Sequence, residues 1–336
     1  MPNLRRHLLR ALVLATLATS MWASAAWASV ESPHPRGASN QEDPPFAIGQ
    51  RAVTFVDTSR PTPAWNGEAA ASTRTIETLV LYPARGKAAD TAVSEAPPAK
   101  GRRFPVVVFL HGSGTTGEDY REALERWAAA GYVVAAPTVP LGGHGFEGTT
   151  ALLADRSNHP DDVRFVLDEL AHELPRALRR ITDLDRVAII GKSLGAATAM
   201  QVAFDPSHAD DRIRAVVPIA EPPSGEGSEW VDLDLASGNR VPVLFVHGEA
   251  DEGFAYAASR ANLDTARAPK FLLTLIGASH VQTLSVDGIG AADEAVIFGT
   301  LDFLDRYAGS DKHTLTRLRQ HTNVPGVARL EHSQRI

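Results

Sequence analysis

An α/β architecture, with a mostly parallel, doubly wound sheet and helices on both faces, is what the sequence predicts. Three observations carry the prediction. Continuous β-branched runs such as Phe104 to Leu110, "FPVVVFL", are of the kind buried on both faces of a parallel sheet. Such runs alternate with helical stretches of about three to five turns, the pattern of right-handed crossovers. Two strand-like runs near the start, joined by a segment rich in turn residues, read as an antiparallel entry to the sheet.

In chain order, the entry strands are Gln50 to Asp57 and Thr73 to Tyr82, separated by "TSRPTPAWNGEAAAS". A second loop, Ala84 to Arg103, leads into "FPVVVFL". Helices are predicted over Glu118 to Ala130, Pro160 to Leu178, Leu194 to Phe204, Gly253 to Ala266 and Ala292 to Tyr307. Strands are predicted over Tyr132 to Ala136, Arg186 to Ile190, Ala215 to Ile219, Val243 to His247 and Phe271 to Ile276. The only place for a small cap is "EPPSGEGSEWVDLDLASGNR", so no large lid is expected. The globular domain is assigned to residues 46–308, and the basic, weakly patterned segment 309–336 is read as a peripheral C-terminal tail.

The chain has 336 residues, of which 44% are hydrophobic and 22% charged, enough to bury one large core. Its net charge of -7 comes from interspersed residues of both signs, which argues against a nucleic-acid partner. Arg5, Arg6 and Arg10 precede an alanine-rich apolar stretch that ends in the small residues Ala26 and Ala28. This reads as a signal peptide over residues 1–28, with the mature chain starting near Ser29 and Ala23-Ser24-Ala25 as a second possible cleavage site. The arginine pair also resembles a twin-arginine signal, although Leu4 replaces the usual polar residue, so the Sec and Tat routes both stay open. A membrane anchor is the rival reading, but Thr16, Thr19, Ser20 and Ser24 interrupt the stretch, and no stable membrane span is expected after processing. The expected location is secreted or periplasmic, and residues 29–45 read as a flexible, proline-rich leader. Zero cysteines exclude disulfides, thiolate catalysis and cysteine-ligated metal sites.

The chemistry is concentrated at "RVAIIGKSLGAATAM", Arg186 to Met200. Gly191-Lys192-Ser193-Leu194-Gly195 fits G-x-S-x-G immediately after a strand and at the start of a helix, where a tight turn lifts the serine hydroxyl above the sheet's carboxyl edge. A neutral serine needs a base, and the base an orienting acid. Strand ends downstream supply both, in the order Ser, Asp, His: "VPVLFVHG" leads to Asp251 and "KFLLTLIG" to His280. Asp251 is assigned as the orienting acid and His280 as the general base; Glu249, Glu252 and Glu221 are rivals for the acid.

Attack on an acyl carbon also requires donors for the developing oxyanion. The turn in "VVVFLHGSGTTGEDY" offers the backbone N–H of Ser113, and Leu194 at the head of the helix offers a second. Gly142, Gly143, His144, Phe146 and Trp230 are candidates for the substrate pocket, with loop shaping or core packing as the alternative for each. His111 and His247 precede glycines at strand ends and read as loop-shaping residues, and His159, His172 and His208 as helix-boundary or surface residues. "GKS" at 191–193 is no nucleotide loop, because no glycine lies five residues before Gly191.

The ordered motifs "FLHGSG", "GKSLG", "VHGEAD" and "GASH" resemble the α/β-hydrolase superfamily over about Phe46 to Tyr307. "SRPTPAWNG" before "LVLYPA", and "NHPDDVRFVLDEL" before the serine strand, are similar to bacterial dienelactone-hydrolase-like enzymes related to platelet-activating-factor acetylhydrolase and chlorophyllase. "GEAD" and "GASH" are more distantly similar to bacterial cutinases and polyester hydrolases, but Ser113 stands where those carry an aromatic residue and their C-terminal disulfide is impossible here. The resemblance implies the α/β-hydrolase fold and an exported serine esterase acting without a cofactor or metal on a small-molecule or lipid ester. Polyester hydrolysis, peptidase or acyltransferase activity on the same fold, and a non-catalytic binding protein are the alternatives.

Overall fold

The computed structural model describes residues 46–65, 69–146, 154–225, 227–237, 241–267, 269–309, 311 and 314–333. The expected signal peptide and leader, residues 1–45, lie outside the described residues. The chain enters through β1 (Ala47–Asp57) and β2 (Arg74–Ala84), which pair antiparallel from Ala47 opposite Ala84 to Asp57 opposite Arg74. A two-residue strand, β3 (Val93–Ser94), borders β1, and β2 passes the sheet on to β5 (Val133–Thr138), again antiparallel.

The parallel centre consists of β4 (Phe104–Leu110), β5, β6 (Thr182–Lys192), β7 (Ile213–Ile219), β8 (Val243–Gly248) and β9 (Lys270–Leu275). Strand order is β10-β9-β8-β7-β6-β4-β5-β2-β1-β3, with β10 (Ala328–Ser333) antiparallel to β9 at one edge. The chain steps from β4 outward to β5, then returns to the other side of β4 for β6. That reversal creates the crevice at the carboxyl ends of the central strands where sites form in open α/β sheets.

Side-chain alternation divides the core into two layers. In β4, Val106, Val108 and Leu110 face one layer while Val107 and Phe109 face the other. Helices α2 (His159–His172) and α4 (Leu194–Phe204) cover the first face, and α1 (Arg121–Ala129) and α6 (Ala291–Tyr307) cover the second. Among the described residues no helix is long and apolar enough to cross a membrane.

Several predicted boundaries shift for local reasons. The helix predicted from Pro160 to Leu178 breaks into α2 and the short α3 (Arg176–Arg179), because Pro175 disfavours helical backbone at Leu174 and provides no N–H. The helix predicted from Gly253 begins later, as α5 (Tyr256–Thr265), since the Gly253 and Phe254 N–H groups are taken by Asp251 Oδ1 at 2.8 and 2.7 Å. The segment expected as a cap instead packs Val231, Leu233 and Leu235 into the core.

The tail read as peripheral is also corrected. Helix α7 (Leu315–Thr322) buries Leu318 and Thr322 against the domain, and β10 extends the sheet. Its charged residues Arg329 and Glu331 suit an edge strand, which explains why its pattern is weak in sequence.

Candidate active site

Ser193 sits between β6 and α4 with φ 55° and ψ −119°, a strained conformation for a residue with a Cβ. The flanking glycines make that turn possible. A Cβ on Gly191 would lie 2.2 Å from the Gly195 carbonyl oxygen, and one on Gly195 would lie 2.2 Å from the Leu110 carbonyl oxygen. The small-residue face of Ala196, Ala197 and Ala199 then lets α4 rest directly on the sheet.

His280, in the loop after β9, approaches with Nε2 2.9 Å from Ser193 Oγ. Its Nδ1 lies 3.0 and 2.9 Å from the two Asp251 carboxylate oxygens. Nδ1 therefore carries the ring proton, leaving Nε2 to accept from the serine hydroxyl. Burial by itself would raise the Asp251 carboxyl, but hydrogen bonds from His247, His280 and the Phe254 N–H outweigh it and hold the group well below the usual carboxylate range.

The rival acids are placed elsewhere. Glu249 pairs with Arg329 at 2.7 Å, and Glu252 accepts the His280 backbone N–H at 3.1 Å. Glu221 is buried against His247, with Glu221 Oε2 3.3 Å from its Nδ1.

The turn after β4 brings Gly112 against Ser193: a Cβ there would stand 3.3 Å from Ser193 Cβ. Half-buried Ser113 follows, and Leu194 heads α4, where the first N–H groups of a helix have no intrahelical acceptor. His111, fully buried under this turn, points Nδ1 at the Gly112 carbonyl oxygen at 2.7 Å, and burial pushes its ring down to about 4. It is a neutral turn-shaping residue.

The pocket candidates divide. Gly142 and Gly143 are buried, and Gly142 braces the turn after β4 by accepting the Gly114 N–H at 2.9 Å. His144 is exposed and pairs with Asp119 at 2.9 Å. Phe146 is half-buried, its N–H donating to Gly143. Trp230 packs edge-on against Phe254 at 5.1 Å, and Phe254 packs edge-on against the His280 ring at 5.6 Å. Phe254, which no sequence pattern marked, is thus the aromatic residue beside His280.

Lys192 was equally invisible as a site residue. It is buried, and its Nζ donates to the His280 carbonyl oxygen and to Thr283 Oγ1, each at 2.6 Å. The residue before Ser193 therefore pins the loop bearing His280. Burial drives its ammonium down to about 7, against the opposing fields of Asp251, Glu252 and Asp293. Lys192→Met should lower kcat by about 10–100-fold with little change in KM, since the loop bearing His280 loses its anchor. The depressed Lys192 value means that its stabilising contribution is present above the unfolded value of 10.5 and is lost as pH falls through 7. The stability gap between wild type and Lys192→Met, followed by thermal melts from pH 6 to 10, should move in favour of wild type as pH rises. A pH-independent gap would contradict this.

Among the described residues no His, Asp and Glu group is arranged to hold a metal ion. Residues 65–229 match the chlorophyllase family model, a span that includes Ser193 and the turn at Gly112. A 116-residue stretch, 34% of this chain, is 33% identical to the magnesium-chelatase 30 kDa subunit of Rhodobacter capsulatus; it spans 35% of that protein, so the chain covers about a third of this curated relative. A ferulic acid esterase from Streptomyces cinnamoneus superposes with a TM-score of 0.63 over 79% of this chain and 91% of that one, at 22% identity. The chain is an α/β-hydrolase by fold, and over residues 65–229 it is similar to the chlorophyllases.

Proposed function

We propose that the protein is an exported serine hydrolase that cleaves carboxylic esters through an acyl-enzyme. The observation that carries this reading is the continuous line from Ser193 Oγ to His280 Nε2 at 2.9 Å and from His280 Nδ1 to Asp251 at 2.9 Å, at the mouth of the sheet. The chlorophyllase similarity and the fold shared with a ferulic acid esterase support the ester hydrolase class.

As Ser193 Oγ bonds to the acyl carbon, its proton passes to His280 Nε2 and the carbonyl electron pair moves onto oxygen, facing the Ser113 and Leu194 N–H groups. Collapse breaks the ester C–O bond and His280 returns the proton to the departing alcohol. Water then attacks the acyl-enzyme, giving its proton to His280, and Ser193 leaves with that proton restored.

Val281, 65% exposed and next in the chain to His280, offers an apolar surface beside the base that suits an apolar ester. The test is a panel of p-nitrophenyl esters from acetate to palmitate, a polyester film and an aminoacyl amide. Turnover of soluble esters with the amide untouched is expected. Amide cleavage without ester cleavage would make the enzyme a peptidase, and turnover only of the film would make it a polyester hydrolase.

Export is part of the proposal and rests on the basic, then apolar, N-terminal stretch with its small-residue terminus. N-terminal sequencing of protein from periplasm or medium should return a start near Ser29. An intact Met1 would overturn it.

A further inference from the structure

The carboxylate of Glu221 does not touch His280, yet it reaches the base through two other side chains. Ala220, at the end of β7, has φ 49°, a left-handed conformation rarely adopted by a residue with a Cβ, and the chain leaves the sheet there directly into Glu221. Glu221 is buried, and its Oε2 lies 3.3 Å from His247 Nδ1 while Oε1 accepts from Asn262 Nδ2 at 3.4 Å. On its other side His247, also buried, turns Nε2 towards the Phe254 carbonyl oxygen at 2.8 Å and Asp251 Oδ2 at 3.3 Å. Both ring nitrogens therefore face acceptors only: a carboxylate on one side, a carbonyl and a second carboxylate on the other. An imidazole so placed carries two N–H groups and a positive charge.

We propose that His247 is a buried imidazolium and that it and Glu221 are positioning residues, extending the catalytic line to Ser193–His280–Asp251–His247–Glu221 and setting the negative charge that His280 feels. The proposal rests on the reading of Ser193, His280 and Asp251 as the catalytic triad. The side chain of Asp251 is fully buried, and a buried carboxylate must be matched by donors and countercharge. His247 provides a fixed donor on Oδ2, while the Gly253 and Phe254 N–H groups hold Oδ1. The cation also cancels one of two buried carboxylates, leaving the group Glu221, His247 and Asp251 with a single net negative charge facing the base.

The other polar groups around His247 do not supply that balance. Tyr256 from α5 packs its ring at 6.2 Å and shares its hydroxyl with Thr274. Arg329 from β10 is engaged by Glu249 and touches the Tyr256 hydroxyl at 3.5 Å. Lys192 Nζ is engaged by the His280 carbonyl oxygen and Thr283 Oγ1, and His280 Nδ1 by Asp251. Burial alone would lower the His247 ring, but its bonds to Asp251 and Glu221 outweigh this and raise it to about 10, in keeping with the geometry.

The charges predict shifts of opposite sign. His247→Gln leaves two carboxylates without their cation, favours protonated His280, and should move the acidic limb of reactivity upward by about one pH unit. Glu221→Gln leaves the cation against one carboxylate and should move that limb downward by about half a unit to one unit. The double variant should return close to wild type. The rate of Ser193 labelling by a fluorophosphonate across pH reads the limb in the mature protein without any substrate. Nitrogen-15 NMR of the wild type, with the His247 ring signals assigned by through-bond correlation to the His247 backbone, should show both His247 nitrogens protonated at pH 8, a readout that survives even if a variant fails to fold.

Opposite shifts with a doubly protonated His247 bear the proposal out. Limbs that move together or stay in place, or a singly protonated His247 at pH 8, overturn it. Correct limb shifts in a protein that turns over no ester would sink the esterase reading and leave this relay standing. Normal ester turnover with coincident limbs would sink the relay alone. A wild type that does not label at all overturns both.

Discussion

Ser193→Ala is expected to abolish fluorophosphonate labelling and to lower ester turnover by about five to six orders of magnitude, with the folded structure retained. The size follows from the geometry. Ser193 Oγ is the hydroxyl that His280 Nε2 meets at 2.9 Å, and its backbone is held in a strained turn by the neighbouring glycines rather than by the hydroxyl. Alanine keeps the Cβ that packs against Gly112 and removes only the oxygen. Intact-mass measurement of the labelled protein, beside a circular dichroism spectrum matching wild type, checks the prediction. Labelling that persists in the folded variant places the nucleophile elsewhere.

Asp251→Asn should cost about four orders of magnitude in turnover with much less effect on substrate affinity. The asparagine carbonyl can keep the Gly253 and Phe254 N–H bonds that shape the loop, so the fold should survive. Its amide N–H₂ would then face His280 Nδ1 and His247 Nε2, setting donor against donor. His280 would be driven to the tautomer with its proton on Nε2, unable to accept from Ser193. Glu221→Gln, one histidine further away, should cost roughly tenfold or less. Steady-state kinetics of both variants on one soluble ester decide the matter. Near-normal turnover in Asp251→Asn with collapse in Glu221→Gln would transfer the acid role to Glu221.

Much of this was readable because it is local. The run Phe104 to Leu110 is the strand β4 itself, and Leu194 to Phe204 is α4, since buried β-branched runs and small-residue helices leave clear patterns. The grouping of Ser193, Asp251 and His280 followed from their common position at strand carboxyl ends, which the parallel topology brings to one edge. What escaped depends on contacts distant in sequence. Lys192 looks like any polar turn residue until Nζ is found under a loop 88 positions away. Nothing in "VHGEAD" shows that His247 meets a carboxylate 26 residues earlier, or that Phe254 stands between Trp230 and the base. That Gly142 meets the turn after β4 depends on a long-range backbone bond, and β10 hid behind the polar residues that an edge strand carries.

Acid-quenching a reaction with p-nitrophenyl acetate tests directly whether Ser193 takes the acyl group of an ester. The first turnover should release p-nitrophenol equal to the enzyme present, and the quenched protein should yield a peptide containing Ser193 heavier by one acetyl group, absent from Ser193→Ala. Ester turnover with the acetyl group on another residue, or with the same rate in Ser193→Ala, would contradict it.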